Sequence, residues 1–277
     1  MAPTITLAHS PDSDDAFMFY ALAKGKVDTR GLTFKHVLDD IETLNRKAID
    51  GTYEVTAVSF HAYYKIKHRY RLMTAGASVG DGYGPIIVAK RALSRDELDD
   101  VTVAVPGELT TAFLVFRLFA PGARWKVMPF DKIQDAVAAG NIDAGLLIHE
   151  GQLTYREQNL HRVQDLGEWW KMETGLPLPL GGNALRRDLD KDTASKCCDV
   201  LRDTVQYALD HRKEALDYAL EYARGMDRKK ADKFVGMYVN GFTLELGKAA
   251  EDAVALLFKL GHDARVIPVK VEPEFIG

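Results

Sequence analysis

Two stretches of the chain repeat one another. "TITLAHSPDSDDAFMFYAL", from Thr4, and "DVTVAVPGELTTAFLVFRLF", from Asp100, each read as a short apolar strand, a polar turn and a helix. The turns end at matching positions, so that Ala16-Phe17 and Ala112-Phe113 open the two predicted helices. A second echo follows. "LNRKAIDGTYEVTAVSFHAY" resembles "IQDAVAAGNIDAGLLIHEGQL" when Gly51 is laid on Gly140. In both, a helix ends at a glycine suited to a left-handed C-cap, and an apolar strand begins a few residues later. Strand, helix, helix, strand, met twice, predicts an α/β fold of two lobes, with a ligand bound outside the carboxyl ends of the strands.

At 277 residues the chain has room for two modest lobes sharing a cleft. "GDGYGPIIVAKRAL" reads as a glycine-flexed entry to a strand that leaves the first lobe, and "TGLPLPLGGNALRRDL" as the returning strand. Hinges are expected near residues 85–100 and 175–187. The larger lobe is then 1–95 with 180–277, and the smaller one 96–179. From Thr193 to Gly261 the period is mainly helical, and these helices are expected to cap the first lobe. Their clearest amphipathic run is "TVQYALDHRKEALDYALEYARG", ending at Gly225.

A net charge of -4 offers no basic stripe for phosphates, against nucleic acid or an anionic membrane surface as partner. No basic segment leads into an apolar run at the N-terminus, and nowhere are there 18 consecutive apolar residues, so neither secretion nor membrane spanning is expected. The only cysteines, Cys197 and Cys198, adjoin in a helical pattern and point to different faces; they read as small helix residues in a reducing, cytoplasmic compartment. No P-loop and no GxGxxG after a strand is present, so no nucleotide cofactor is expected.

Chemistry concentrates at the strand ends. "VPGELTTAF" sets Gly107, Thr110 and Thr111 at a helix start after a strand, where free N–H groups and the positive dipole end favour a carboxylate. A plain N-cap explains a threonine there about as well. Ser59, in "AVSFHAYY", ends the matching strand of the first lobe. In the acidic turn "HSPDSDDAF", Ser10, Asp12, Asp14 and Asp15 are discounted as helix-dipole complementarity. On the Gly51/Gly140 alignment, Ser59-Phe60 corresponds to Ile148-His149, which puts His149 at the ligand end of its strand. "HEGQL" fails the HExxH zinc pattern because residue 153 is Leu, so no metal is expected. Neutral imidazole suits proton removal near pH 7, and a general base is the natural role for His149. No GxSxG elbow supports a nucleophile instead. His9, at a strand end of the first lobe, is the one rival histidine; Glu150 is expected to turn away from the cleft.

At these motifs the chain resembles the 1,4-dihydroxy-6-naphthoate synthases of the futalosine route to menaquinone. The likeness is carried by "HSPDSDDAFMFYAL", "DDIETLNRKA", "VSFHAYY", "AVPGELTTAF", "AGLLIHEGQLTYREQNL" and "LGEWWKMETGLPLPLGGNALRRDL". The resemblance implies a fold like type II periplasmic solute-binding proteins, turned into a cytosolic carbon-carbon lyase. It implies cleavage of cyclic dehypoxanthinyl futalosine, a small-molecule carboxylate, to dihydroxyacetone and the dihydroxynaphthoate. It also implies His149 as proton acceptor, with substrate contacts from Ala57, Val58 and Ser59 and from Thr110 and Thr111. The opening loop departs from the family at Asp14, where members have Asn. Two other classes remain open on sequence: the sister chorismate dehydratase, and a non-catalytic module that binds a small carboxylate.

Overall fold

The computed structural model describes residues 3–277 and contains two sheets. The first is built on β1 (Thr4–His9), α1 (Ser13–Ala23), β2 (Thr33–Leu38), α2 (Ile41–Ile49) and β3 (Val55–Ser59). β1 pairs in parallel with both β2 and β3. After the short α3 (Tyr63–Ile66) come β4 (Tyr70–Met73), β5 (Ser78–Gly80) and β6 (Ile86–Ala89). β4 and β5 stay with the first sheet, whereas β6 already pairs in the second, ahead of the boundary expected at residue 96.

The second sheet repeats the plan with β7 (Thr102–Val105), α4 (Thr111–Phe119), β8 (Arg124–Val127), α5 (Phe130–Ala139) and β9 (Ala144–Leu147). β7 is again parallel to both neighbours, β8 and β9. The internal repeat is therefore β-α-β-α-β, one strand richer than the sequence pattern suggested. The strands outside that repeat pattern, β2 and β8, lie at sheet edges: β2 has exposed residues along much of its length, and β8 is exposed throughout. Such edges lack the apolar run that identifies a buried parallel strand. α6 (Gly151–Thr154), β10 (His161–Asp165) and α7 (Leu166–Thr174) follow, and β11 (Leu178–Arg186) returns to the first sheet, antiparallel between β3 and β4.

The remaining chain is helical: α8 (Lys191–Asp210), α9 (Arg212–Ala219), α10 (Arg228–Tyr238), α11 (Gly241–Leu244) and α12 (Gly247–Asp263), before β12 (Phe275–Ile276) closes the edge of the first sheet. The run expected as one helix to Gly225 breaks at His211, whose backbone leaves the helical region and whose ring stacks on Tyr207 at 3.8 Å. α8, α9 and α10 cover α1, as a cap on the first lobe should. α1 is thus buried nearly all round, through Phe17, Met18 and Phe19, and shows no amphipathic stripe.

Local chemistry sets the elements that matter to the cleft. Asp40 caps α2 by accepting from the N–H of Glu42 and Thr43, and Thr110 caps α4 by accepting from that of Phe113. Gly51 and Gly140, the anchors of the repeat, both follow helices at positive φ, 71° and 77°.

Candidate active site

Parallel strands deliver their carboxyl ends to one side of each sheet, and the two sheets turn those ends toward each other. Ser10 and Asp12 follow β1, Ser59 ends β3, Thr110 and Thr111 follow β7, and Ile148 and His149 follow β9; all line one cavity of about 770 Å³. Ala57 and Val58 line it too. His149 and the residues expected to contact substrate, Ala57, Val58, Ser59, Thr110 and Thr111, are therefore on the walls of the same space.

His149 lies two residues past the end of β9 and holds φ at +53°, a left-handed conformation that costs a residue with a Cβ about 1–3 kcal/mol. Its ring packs edge-on against Phe130 at 4.9 Å. Nδ1 lies 3.2 Å from Oδ2 of Asp12, which is 1% exposed, and Nε2 is buried without a partner. A carboxylate beside Nδ1 favours the tautomer with its proton on Nδ1, which leaves Nε2 as the basic nitrogen. The other oxygen of Asp12, Oδ1, lies 2.6 Å from Nη2 of Arg224. Neither approach to Asp12 is aligned as a hydrogen bond; that of Arg224 is an ion pair, and that of His149 becomes one only when the imidazole is protonated.

The turn discounted as dipole complementarity is thus part of the site. α1 begins at Ser13, three residues before the expected Ala16, and Asp12 stands at its N-cap without a side-chain bond to the helix. That leaves its carboxylate free to serve His149. Asp15 accepts from the Ser10 N–H at 2.7 Å, yet burial and the charge of Asp12 push its carboxyl up to about 7. Asp14 has an Oδ1 without a partner, and burial, with Asp15 and Asp12 beside it, holds its carboxyl well above the ordinary carboxylate range. That shift favours its protonated form, which offers the cavity an O–H donor.

Asp12, Asp14 and His149 each bring one ligand atom to within 4.8 Å of the others, a geometry that could hold a metal ion. The Arg224 guanidinium, 2.6 Å from Asp12, already supplies positive charge there and would repel a divalent cation.

Other lining residues of the cavity offer neutral donors. No lysine or arginine is among its lining residues. Thr110 donates to the Gly107 carbonyl at 2.8 Å and accepts from Phe113, so its hydroxyl is spent as a cap. Thr111 accepts from the His61 N–H at 3.1 Å, which leaves its proton available, and the first-turn N–H groups of Thr111 and Ala112 have no partner within the helix. Ser59 is fixed by Asn45, whose Oδ1 accepts from the Ser59 N–H at 2.8 Å and whose Nδ2 donates to its hydroxyl at 3.0 Å.

Sequence reasoning missed Asn45, Gln152, Tyr238 and the backbone of Gly181-Gly182, all of which hold or line the cleft. It also set aside His61, which joins the lobes through Thr110 and Thr111; burial lowers its imidazole to about 4, so it stays neutral there. The rival His9 does not line the cavity: its Nε2 meets Nδ1 of His36 at 3.0 Å, and burial, then His36, lower it to about 3. Glu150 turns from the cavity as expected, although it lies in a turn rather than a strand, and it meets Nη1 of Arg224 at 3.1 Å.

Two α/β lobes of repeated topology around a cleft define a periplasmic-binding-protein-like fold. The alkanesulfonate-binding protein SsuA of Xanthomonas axonopodis pv. citri shares it, with a TM-score of 0.73 at 11% identity over 97% of this chain and 95% of that one. Within that class, residues 5–263 match the family described as menaquinone biosynthesis, and the chain belongs to that family. The 1,4-dihydroxy-6-naphtoate synthase of Thermus thermophilus is 41% identical over 92% of each chain. The crystal structure of AF1704 from Archaeoglobus fulgidus is 47% identical, with a TM-score of 0.91 over 95% of this chain and 97% of that one.

Proposed function

We propose that this chain is a 1,4-dihydroxy-6-naphthoate synthase, a lyase that splits cyclic dehypoxanthinyl futalosine into 1,4-dihydroxy-6-naphthoate and dihydroxyacetone. The observation that carries the reading is His149, with Nδ1 against Asp12 and Nε2 unpartnered, on the wall of the cleft in a chain of this family. Nε2 removes a hydroxyl or carbon-bound proton, the substrate fragments, and the bicyclic ring aromatises. The imidazolium is stabilised by Asp12 and hands its proton to the departing three-carbon fragment. Aromatisation supplies much of the driving force.

The acidic side of the cavity and its neutral donors fix the direction of binding. The aromatic carboxylate belongs at the Thr111–Ala112 helix start with Ser59, away from Asp12, Asp14 and Asp15. Ala57 and Val58 supply the apolar wall beside it. The two lobes, the smaller beginning at β6 rather than at residue 96, close about the crossings before β6 and before β11 and exclude water from the reacting ring. Among the described residues no helix is long and apolar enough to cross a membrane. The free, buried Cys197 and Cys198 fit work in a reducing cytoplasm.

Purified protein given cyclic dehypoxanthinyl futalosine should release the naphthoate and dihydroxyacetone in equal amounts. Chorismate in a parallel reaction should be returned unchanged. Binding of the futalosine derivative without product would leave only a binding module and overturn the reading.

A further inference from the structure

We propose that Arg224 is a positioning residue that couples closure of the cleft to the orientation of His149. This rests on the reading of His149 as the base. Arg224 stands in the turn before α10 with φ at 46°, on the capping helices of the first lobe. Its guanidinium meets Asp12 at 2.6 Å, on its own side of the cleft. Across the cleft it meets Glu150 at 3.1 Å and lies over the Phe130 ring at 4.6 Å. Asp12 touches His149, Glu150 is its chain neighbour, and Phe130 is the ring that its imidazole packs against. One side chain therefore holds three groups that fix the imidazole, while it does not line the cavity. Whatever it contributes passes through them.

The electrostatics require such a partner. Asp12 is buried beside Asp14 and Asp15, and Arg224 is the one Lys or Arg to form an ion pair with it among the described residues. Without that charge a buried carboxylate takes up a proton or swings toward water, and Nδ1 of His149 loses its acceptor. The contacts also need the lobes together. On α10 itself, Lys230 pairs with Glu157, and Tyr238 donates to Gln152 at 2.5 Å, so α10 and the turn before it are fastened to the segment after β9 at three points. In an open cleft Asp12 and His149 part, and the base is assembled as the substrate is enclosed.

The test compares Arg224→Met, Arg224→Lys, Asp12→Asn and the Met/Asn double variant, with kcat, KM and melting temperature measured for each. Arg224→Met should lower kcat roughly 10- to 100-fold with KM within about threefold, and Lys should recover part of the loss. If Arg224 acts through Asp12, the double variant is no slower than the worse single one. Glu150→Gln, which frees only the far anchor, should lower kcat several-fold with an unchanged melting temperature. Near-parental kcat in Arg224→Met, losses that multiply in the double variant, or a rise in KM alone would each overturn the proposal. His149→Ala separates the two claims: if it still turns over, the base reading fails; if it is inactive while Arg224→Met is fast, only the coupling fails.

Discussion

Nδ1 of His149 and Oδ2 of Asp12 stand 3.2 Å apart, although one follows the last repeat strand of the second sheet and the other the first strand of the first sheet. On the proposed function, a base and its orienting carboxylate divided between two lobes make activity depend on their closure. Asp12→Asn removes the charge and admits the wrong tautomer at nearly constant shape. It should lower kcat roughly 10²- to 10⁴-fold while KM stays within about threefold, read from steady-state kinetics. A KM effect alone would place Asp12 in substrate binding instead.

Asp14 and Asp15 make stability depend on pH in a direction opposite to that of salt-bridged carboxylates. Their folded values are raised, so the folded chain keeps protons that the unfolded chain has lost. Stability is full below the ordinary carboxylate range and falls as pH rises, through about 7 for Asp15, with Asp14 acting in the same direction. Asp14→Asn keeps a neutral donor at the cavity and removes one of these protons from the balance. Relative to the parent, it should gain stability in denaturant titrations as pH rises above the ordinary carboxylate range, with turnover at neutral pH largely kept.

Asn45 is fully buried and gives both of its hydrogen bonds to Ser59. Asn45→Ala leaves the Ser59 N–H and hydroxyl unpaired, at a cost of roughly 1–3 kcal/mol of stability. KM should rise about tenfold, because Ser59 no longer faces the cavity in one orientation. Equal KM in the two proteins would remove Ser59 from substrate binding.

The cluster of Asp12, Asp14 and His149 gives the metal question a direct answer in solution. With Arg224 balancing Asp12, protein dialysed against a strong chelator should turn over within about twofold of the untreated protein. Loss of activity restored by one divalent ion would show that the three residues act as ligands.

Much of the cleft was legible because a repeat carries its own control. Laying Gly51 on Gly140 located the ends of β3 and β9, and with them Ser59 and His149, without any tertiary information. β2 and β8 escaped the repeat pattern because edge strands half open to water do not show a buried run. Asp12 was misread for a different reason. Three carboxylates at a helix start look like dipole complementarity, and only the approach of the other lobe shows which one is taken by a histidine 137 positions later. Arg224, Gln152 and Tyr238 likewise act on partners far away in sequence, and no local period marks them.

Substitution of His149 tests the central claim most directly. His149→Gln, assayed with cyclic dehypoxanthinyl futalosine near neutral pH, should lose turnover by at least about 10³-fold while still binding the substrate, as read by calorimetry or a rise in melting temperature. Turnover within about tenfold of the parent would contradict the account, because the proton would then be leaving to another group.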